Sequence, residues 1–100
     1  MVLASDQEIT AALTNISDVE ELYIQRSGET VQVFTIIDSD KEETYDLIYD
    51  AERSLIREFH SNRFDFNVIA RRGRDVSEII GPMAPAWQRE HCAHSESASY

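Results

Sequence analysis

The side chains that could do chemistry fall into three groups. Asp38 and Asp40 stand where an apolar run gives way to a helical pattern, and Asp65 lies in a later strand-like run. Carboxylates gathered at strand ends can hold magnesium, a hard cation that prefers oxygen ligands. Arg71, Arg72 and Arg74 surround Gly73, just before a short helical pattern that opens at Asp75. Arginines beside a glycine turn and a helix start can hold a phosphate or carboxylate. His91, Cys92 and His94 form the third group. Their nitrogen and sulfur donors suit a transition metal, but a structural zinc site needs a second ligand pair, and the only other histidine is His60. Each group also has a plain reading. Helix capping explains Asp38 and Asp40, Asp65 suits a solvent-facing strand position, and the arginines suit a solvated loop. His60 fits a helix C-terminus.

Other chemistries lack their parts. The serines Ser27, Ser39, Ser54, Ser61 and Ser77 have cap, turn or helix explanations, and none lies in a G-x-S-x-G turn. With Gly28, Gly73 and Gly81 as the only glycines, neither a P-loop nor a dinucleotide fingerprint can form. No cofactor is implied.

The elements that must position these residues follow from periodicity. Ser5 and Glu8 form a capping box that opens a short helix to about Asn15, with Ile9, Ala12 and Leu13 on one face. Val19 to Gln25 alternates, placing Val19, Glu21, Tyr23 and Gln25 opposite Glu20, Leu22 and Ile24. The polar connector Arg26-Ser27-Gly28-Glu29 marks a hairpin. Thr30 to Ile37 is apolar on both faces, which predicts a central strand. A long helix spans about 40 to 60, with a capping box from Ser39 to Glu42 and an apolar stripe of Ile48, Ala51, Leu55 and Phe59. Acids crowd its start and Arg53 and Arg57 its end, as the helix dipole favours. Phe64 to Arg71 alternates again, and Asp75 with Glu78 caps one or two helical turns before Gly81-Pro82. Pro85 and Trp87 mark an irregular or extended segment. Residues 1–89 read as a single α+β domain, and residues 90–100 as a disordered polar tail. The expected architecture is a mixed three-stranded sheet, hairpin plus strand-helix-strand, with one long helix on a face and a short N-terminal helix.

Composition bounds the partners. The chain has 100 residues, 42% hydrophobic, enough for one core. Its formal charge is -10, and residues 1–50 carry all of it, with 12 acids against 2 bases. Such a surface repels a phosphate backbone, so nucleic acid is not an expected partner. No run is long and apolar enough for a membrane span, and no signal peptide is visible. A single cysteine fits a reducing compartment, so a cytoplasmic location is expected. A three-stranded sheet leaves free edges, which makes another protein, or a second copy, the expected partner.

From Val19 to about Trp87, the order of elements resembles a minimal nucleotidyltransferase domain of the kind found in small bacterial antitoxin-type proteins. The resemblance rests on a first strand, a second apolar strand ending in Asp38, a long helix, the strand Phe64-Asp65-Phe66-Asn67-Val68-Ile69 and a short helix. The family places a Gly-Ser turn after the first strand and an acidic pair on the second. Here the turn reads Ser27-Gly28, in reverse order, and Val31-Gln32-Val33-Phe34-Thr35 holds no acid. Only Asp65 matches the family's third carboxylate. The resemblance therefore implies a catalytically degenerate copy. Two functions follow as expectations: a non-enzymatic domain acting by protein contact or homodimerisation, or a domain binding nucleotides or phosphate metabolites.

Overall fold

The computed structural model describes residues 5–38, 40–60 and 63–89. The His91, Cys92 and His94 group and the expected disordered tail lie outside them.

The fold is α+β. Helix α1 (Asp6–Thr14) leads to a hairpin of β1 (Val19–Ser27) and β2 (Thr30–Ile37). Helix α2 (Glu42–Glu58) follows, then β3 (Arg63–Ala70), the short α3 (Ser77–Ile80) and β4 (Trp87–Gln88). The sheet order is β3-β2-β1-β4, so β2 is an inner strand as its two-sided apolar pattern predicts. β1 runs antiparallel to β2 and to β4, while β3 is parallel to β2. The sheet thus has four strands rather than the expected three. The segment around Trp87 is extended because its main chain finds β1: Ala86 N–H donates to Leu22 C=O at 2.7 Å and Arg89 N–H to Glu20 C=O at 2.8 Å.

Local chemistry sets the element ends. Ser5 and Glu8 make the reciprocal capping box at α1. The hairpin turn holds two residues, Gly28 and Glu29, between the paired Ser27 and Thr30. Gly28 has φ 61°, the left-handed value that a glycine at the first central position of such a turn supplies without steric cost. Helix α2 starts at Glu42 with Lys41 at its N-cap and no side-chain cap bond, so the expected capping box does not open it. Ser39 itself lies outside the described residues. At α3, Asp75 accepts from the Ser77 amide and hydroxyl rather than capping through Glu78.

The core lies mainly between the sheet and the two longer helices. Ile9 and Leu13 of α1, Ile48 and Leu55 of α2, Phe59 beyond it, and Leu22, Val31, Val33 and Ile37 of the sheet form one buried cluster. Val19 belongs to it as well, which breaks the predicted alternation in β1. A β-bulge between Val19 and Glu21 causes this: one extra residue turns Val19 to the same face as Leu22. On the opposite face a smaller cluster of Tyr23, Ile36 and Val76 is covered by Ile80 and Met83, over only one end of the sheet. A shallow polar depression at the other end is lined by Gln25, Ser27, Thr30 and Gln32.

Two polar groups bear on this packing. The Arg89 guanidinium ties the end of α1 to the start of β1, donating to Thr14, Ile16 and Val19 C=O at 3.3, 3.2 and 2.9 Å, and lies over the Trp87 ring. Charged donors to carbonyls left over at a helix end are among the stronger hydrogen bonds. Arg89→Ala should therefore cost about 2 kcal/mol in chemical denaturation and expose Trp87, read as a red shift of its fluorescence.

Glu52 sits on the buried stripe of α2 at 8% exposure, with one carboxylate oxygen lacking a hydrogen bond. Burial pushes its pKa from 4.5 up to about 7. Between those values the unfolded chain has lost this proton while the folded chain keeps it, so stability falls as pH rises from about 4.5 to about 7. Glu52→Gln should remove that slope. Relative to the parent, it should stabilise the fold at pH 8 by roughly 1–3 kcal/mol and change it little at pH 4.5, measured by urea denaturation at each pH.

Candidate functional site

The two charged loops that the sequence marks meet at one end of the sheet. β2 and β3 are parallel and in register from Thr30↔Arg63 to Ile37↔Ala70. Asp38 and Arg71 therefore leave the sheet side by side. Arg71 N–H donates to Ile37 C=O at 2.8 Å and Arg72 N–H to Asp38 C=O at 2.7 Å. The chain then turns: Arg74 N–H donates to Arg71 C=O at 3.0 Å, with Arg72 at φ 54° and Gly73 at φ 82°. Two successive left-handed residues define a tight mirror-image turn, which glycine tolerates and arginine adopts at a cost of about 1 kcal/mol. The Asp38 carboxylate holds this turn by accepting from Gly73 N–H at 3.0 Å.

Arg71 is the centre of the site. Its guanidinium donates to Glu20 and, at 3.1 Å, to Glu21, both on β1. The bulge that rotates Val19 inward also sets these successive glutamates where one guanidinium reaches both. Arg71 Nε lies 3.7 Å from Asp38, inside ion-pair range but beyond hydrogen-bonding reach, and it is buried without a hydrogen-bond partner. Glu21 also accepts from the Tyr23 hydroxyl at 2.6 Å. Burial first, and then the Glu21 hydrogen bond and charge, push the Tyr23 phenol up to about 12, so it stays protonated. Arg72 pairs with Asp40 at the exposed rim. Arg74 is exposed.

Arg71, Arg72, Asp38 and Asp40 are thus brought together, with cations and anions already matched. Asp65 is not among them. It pairs across the sheet with Gln32, whose amide donates to its carboxylate at 3.2 Å. Gln32 lies six residues before Asp38, about 20 Å along an extended strand. Among the described residues no group of three or more His, Cys, Asp and Glu side chains could hold a metal ion. Nor is any helix among them long and apolar enough to cross a membrane. Sequence reasoning missed Glu20, Glu21 and Tyr23 as members of the site. The available signal was Val19-Glu20-Glu21-Leu22, two acids between two apolar residues, which fits no strict alternation and marks a bulge.

The second notable surface is the outer edge of β3. The described residues place no strand beyond it, whereas the other edge is the two-residue β4. Phe64 and Phe66 stack at 5.0 Å on the helix-facing side of β3, and both are only partly buried beside the core. On α2, Tyr49 and Ile56 are 45% and 49% exposed. Thr44 marks the flank of α2 toward α1, because its hydroxyl donates to Asp18 in the turn after α1. Tyr45, Tyr49 and Ile56 lie roughly 100–140° round the helix from Thr44, beyond Ile48 and Leu55. They therefore line the opposite flank, over β3.

No protein-family model matches the chain, and no characterised protein matches its sequence.

The ion network makes a direct prediction. Arg71→Met would leave Glu20, Glu21 and Asp38 facing one another without their cation. It should cost about 2–3 kcal/mol of stability, and Arg71→Met with Glu21→Gln should recover part of the loss, both read from urea midpoints.

Proposed function

We propose that this chain is a non-enzymatic domain that acts through protein-protein contact, and that the outer edge of β3 is the contact surface. One observation carries the reading: an eight-residue edge strand with partly buried aromatic and aliphatic side chains, bordered by the exposed Tyr49 and Ile56 of α2. Natural sheets protect such edges with lysine, proline, bulges or brevity. β4 is brief, but Arg63–Ala70 holds no lysine and no proline, and its pairing with β2 is regular throughout. An edge of this kind accepts an added strand, with main-chain hydrogen bonds giving affinity and flanking side chains giving selectivity.

The charged end of the sheet supports the same reading. The guanidinium groups of Arg71 and Arg72 already engage carboxylates, so an incoming phosphate would have to displace Glu20, Glu21 or Asp40 from them. As a structural clamp, the cluster aligns the ends of β1, β2 and β3. Binding of nucleotides or phosphate metabolites, as in a degenerate nucleotidyltransferase, is the rival reading and predicts the opposite result in one experiment.

That experiment is a pair of amide NMR titrations of the labelled chain at low micromolar concentration. One adds a lysine-flanked peptide that copies β3. The other adds ATP with magnesium. The peptide should shift the β3 amides of Phe64, Phe66, Val68 and Ala70 saturably, and ATP should leave Arg71 to Arg74 unmoved. Saturable ATP shifts at Gly73 and Asp38, with a silent β3, would overturn the proposal.

A further inference from the structure

The register of β3 against β2 fixes which main-chain groups point outward, and from this we infer that the occupant of the β3 edge is a second copy of the same strand, paired antiparallel about Phe66. The inference rests on the proposed role of this edge and names its partner. Arg63 N–H donates to Glu29 C=O, and eight residues on Arg71 N–H donates to Ile37 C=O. The odd-numbered residues of β3 therefore direct N–H and C=O toward β2. Phe64, Phe66, Val68 and Ala70 direct theirs to the free edge, with side chains on the helix-facing side.

A two-fold axis perpendicular to the sheet keeps the helices of both copies on one side. It also requires outward-pointing residues to face outward-pointing residues, which leaves three central registers. Centring on Asp65 sets Asp65 against itself in the closer, non-hydrogen-bonded type of pair, where like charges repel. Centring on Asn67 sets Arg63 against Arg71 and Asp65 against Ile69. Centring on Phe66 sets Arg63 against Ile69 but brings no like charges together. Phe66 meets Phe66, Phe64 meets Val68, and on the other face each Asp65 carboxylate meets the Asn67 amide of the second copy. The aromatic and aliphatic pairs are of the kind that stabilise antiparallel sheets. Tyr45, Tyr49 and Ile56 of each α2 then converge over the junction, and one continuous eight-stranded sheet results.

Cysteine cross-linking reads this register. In a Cys92→Ser background, Asp65→Cys and Asn67→Cys are prepared as separate full-length chains. In the Phe66-centred dimer, each position faces the other at about 4.5 Å between Cα atoms, within disulfide reach. Mixing the two variants in a glutathione buffer should give the mixed disulfide in at least about tenfold excess over either self-disulfide. The parent should elute at twice its 11.5 kDa mass in light scattering. Asn67→Asp should weaken the dimer about tenfold, and Asp65→Asn with Asn67→Asp, which exchanges the pair, should restore it. Predominant self-disulfide of either variant overturns the register. A monomer at millimolar concentration overturns the second copy as occupant, even if the β3 peptide still binds. If the peptide also fails to bind, the edge itself is not a contact surface and the proposed function falls with it.

Discussion

Everything in this fold is arranged around a strand that is buried on both faces at one end, over residues 35–37. Val31, Val33 and Ile37 of β2 are buried against the helices, and Ile36 is buried on the reverse. A chain of 100 residues has little material with which to cover both faces of a sheet. α1 and α2 spend their apolar stripes on one face. On the other face, α3 and Met83 reach only the end nearest the charged loops. The uncovered remainder turns polar, with Gln25, Ser27, Thr30 and Gln32 at the surface. Side-chain polarity thus follows the limit of cover along a single strand pair.

The Arg71 cluster sits where that cover begins. It joins residues 50 positions apart in the chain and links the start of β1 to the exits of β2 and β3. A partly buried guanidinium among three carboxylates is costly to desolvate, and its value lies in alignment more than in net stability. Strand β3 is parallel to β2, so no tight turn fixes its register. Side-chain bonds at its end supply part of what a hairpin would have supplied, and the Asp38 carboxylate on Gly73 anchors the turn that carries the chain to α3.

Much of this was legible in the residues because local signals agreed with the final environment. Ser5 with Glu8 opened α1, the two-sided apolar run placed β2 inside, and the alternation from Phe64 to Ala70 assigned each β3 side chain to its face. What was not legible depended on distant partners. A two-residue strand such as β4 has no periodicity to detect, and it is extended because β1 offers it carbonyls and an amide. The start of α2 shifted to Glu42 because backbone bonds from Thr44 and Tyr45 to Lys41 C=O form the first turn without a side-chain cap. The charged loops were visible as charged loops, but the glutamates that engage Arg71 come from a bulge, whose geometry depends on its partner strand.

The bonds from Arg89 to Thr14, Ile16 and Val19 span 75, 73 and 70 residues, so the end of α1 is finished by the last of the described residues. During synthesis on a ribosome, α1 and the hairpin emerge early, yet the carbonyls at the end of α1 stay without this donor until residue 89 has cleared the exit tunnel. The hairpin meanwhile presents both of its edges. Closure of so long a loop is entropically slow compared with the local contacts that precede it. The nascent chain thus keeps the β1 edge open to misplaced strand pairing until residue 89 arrives, and the Arg89 side chain then completes the end of α1.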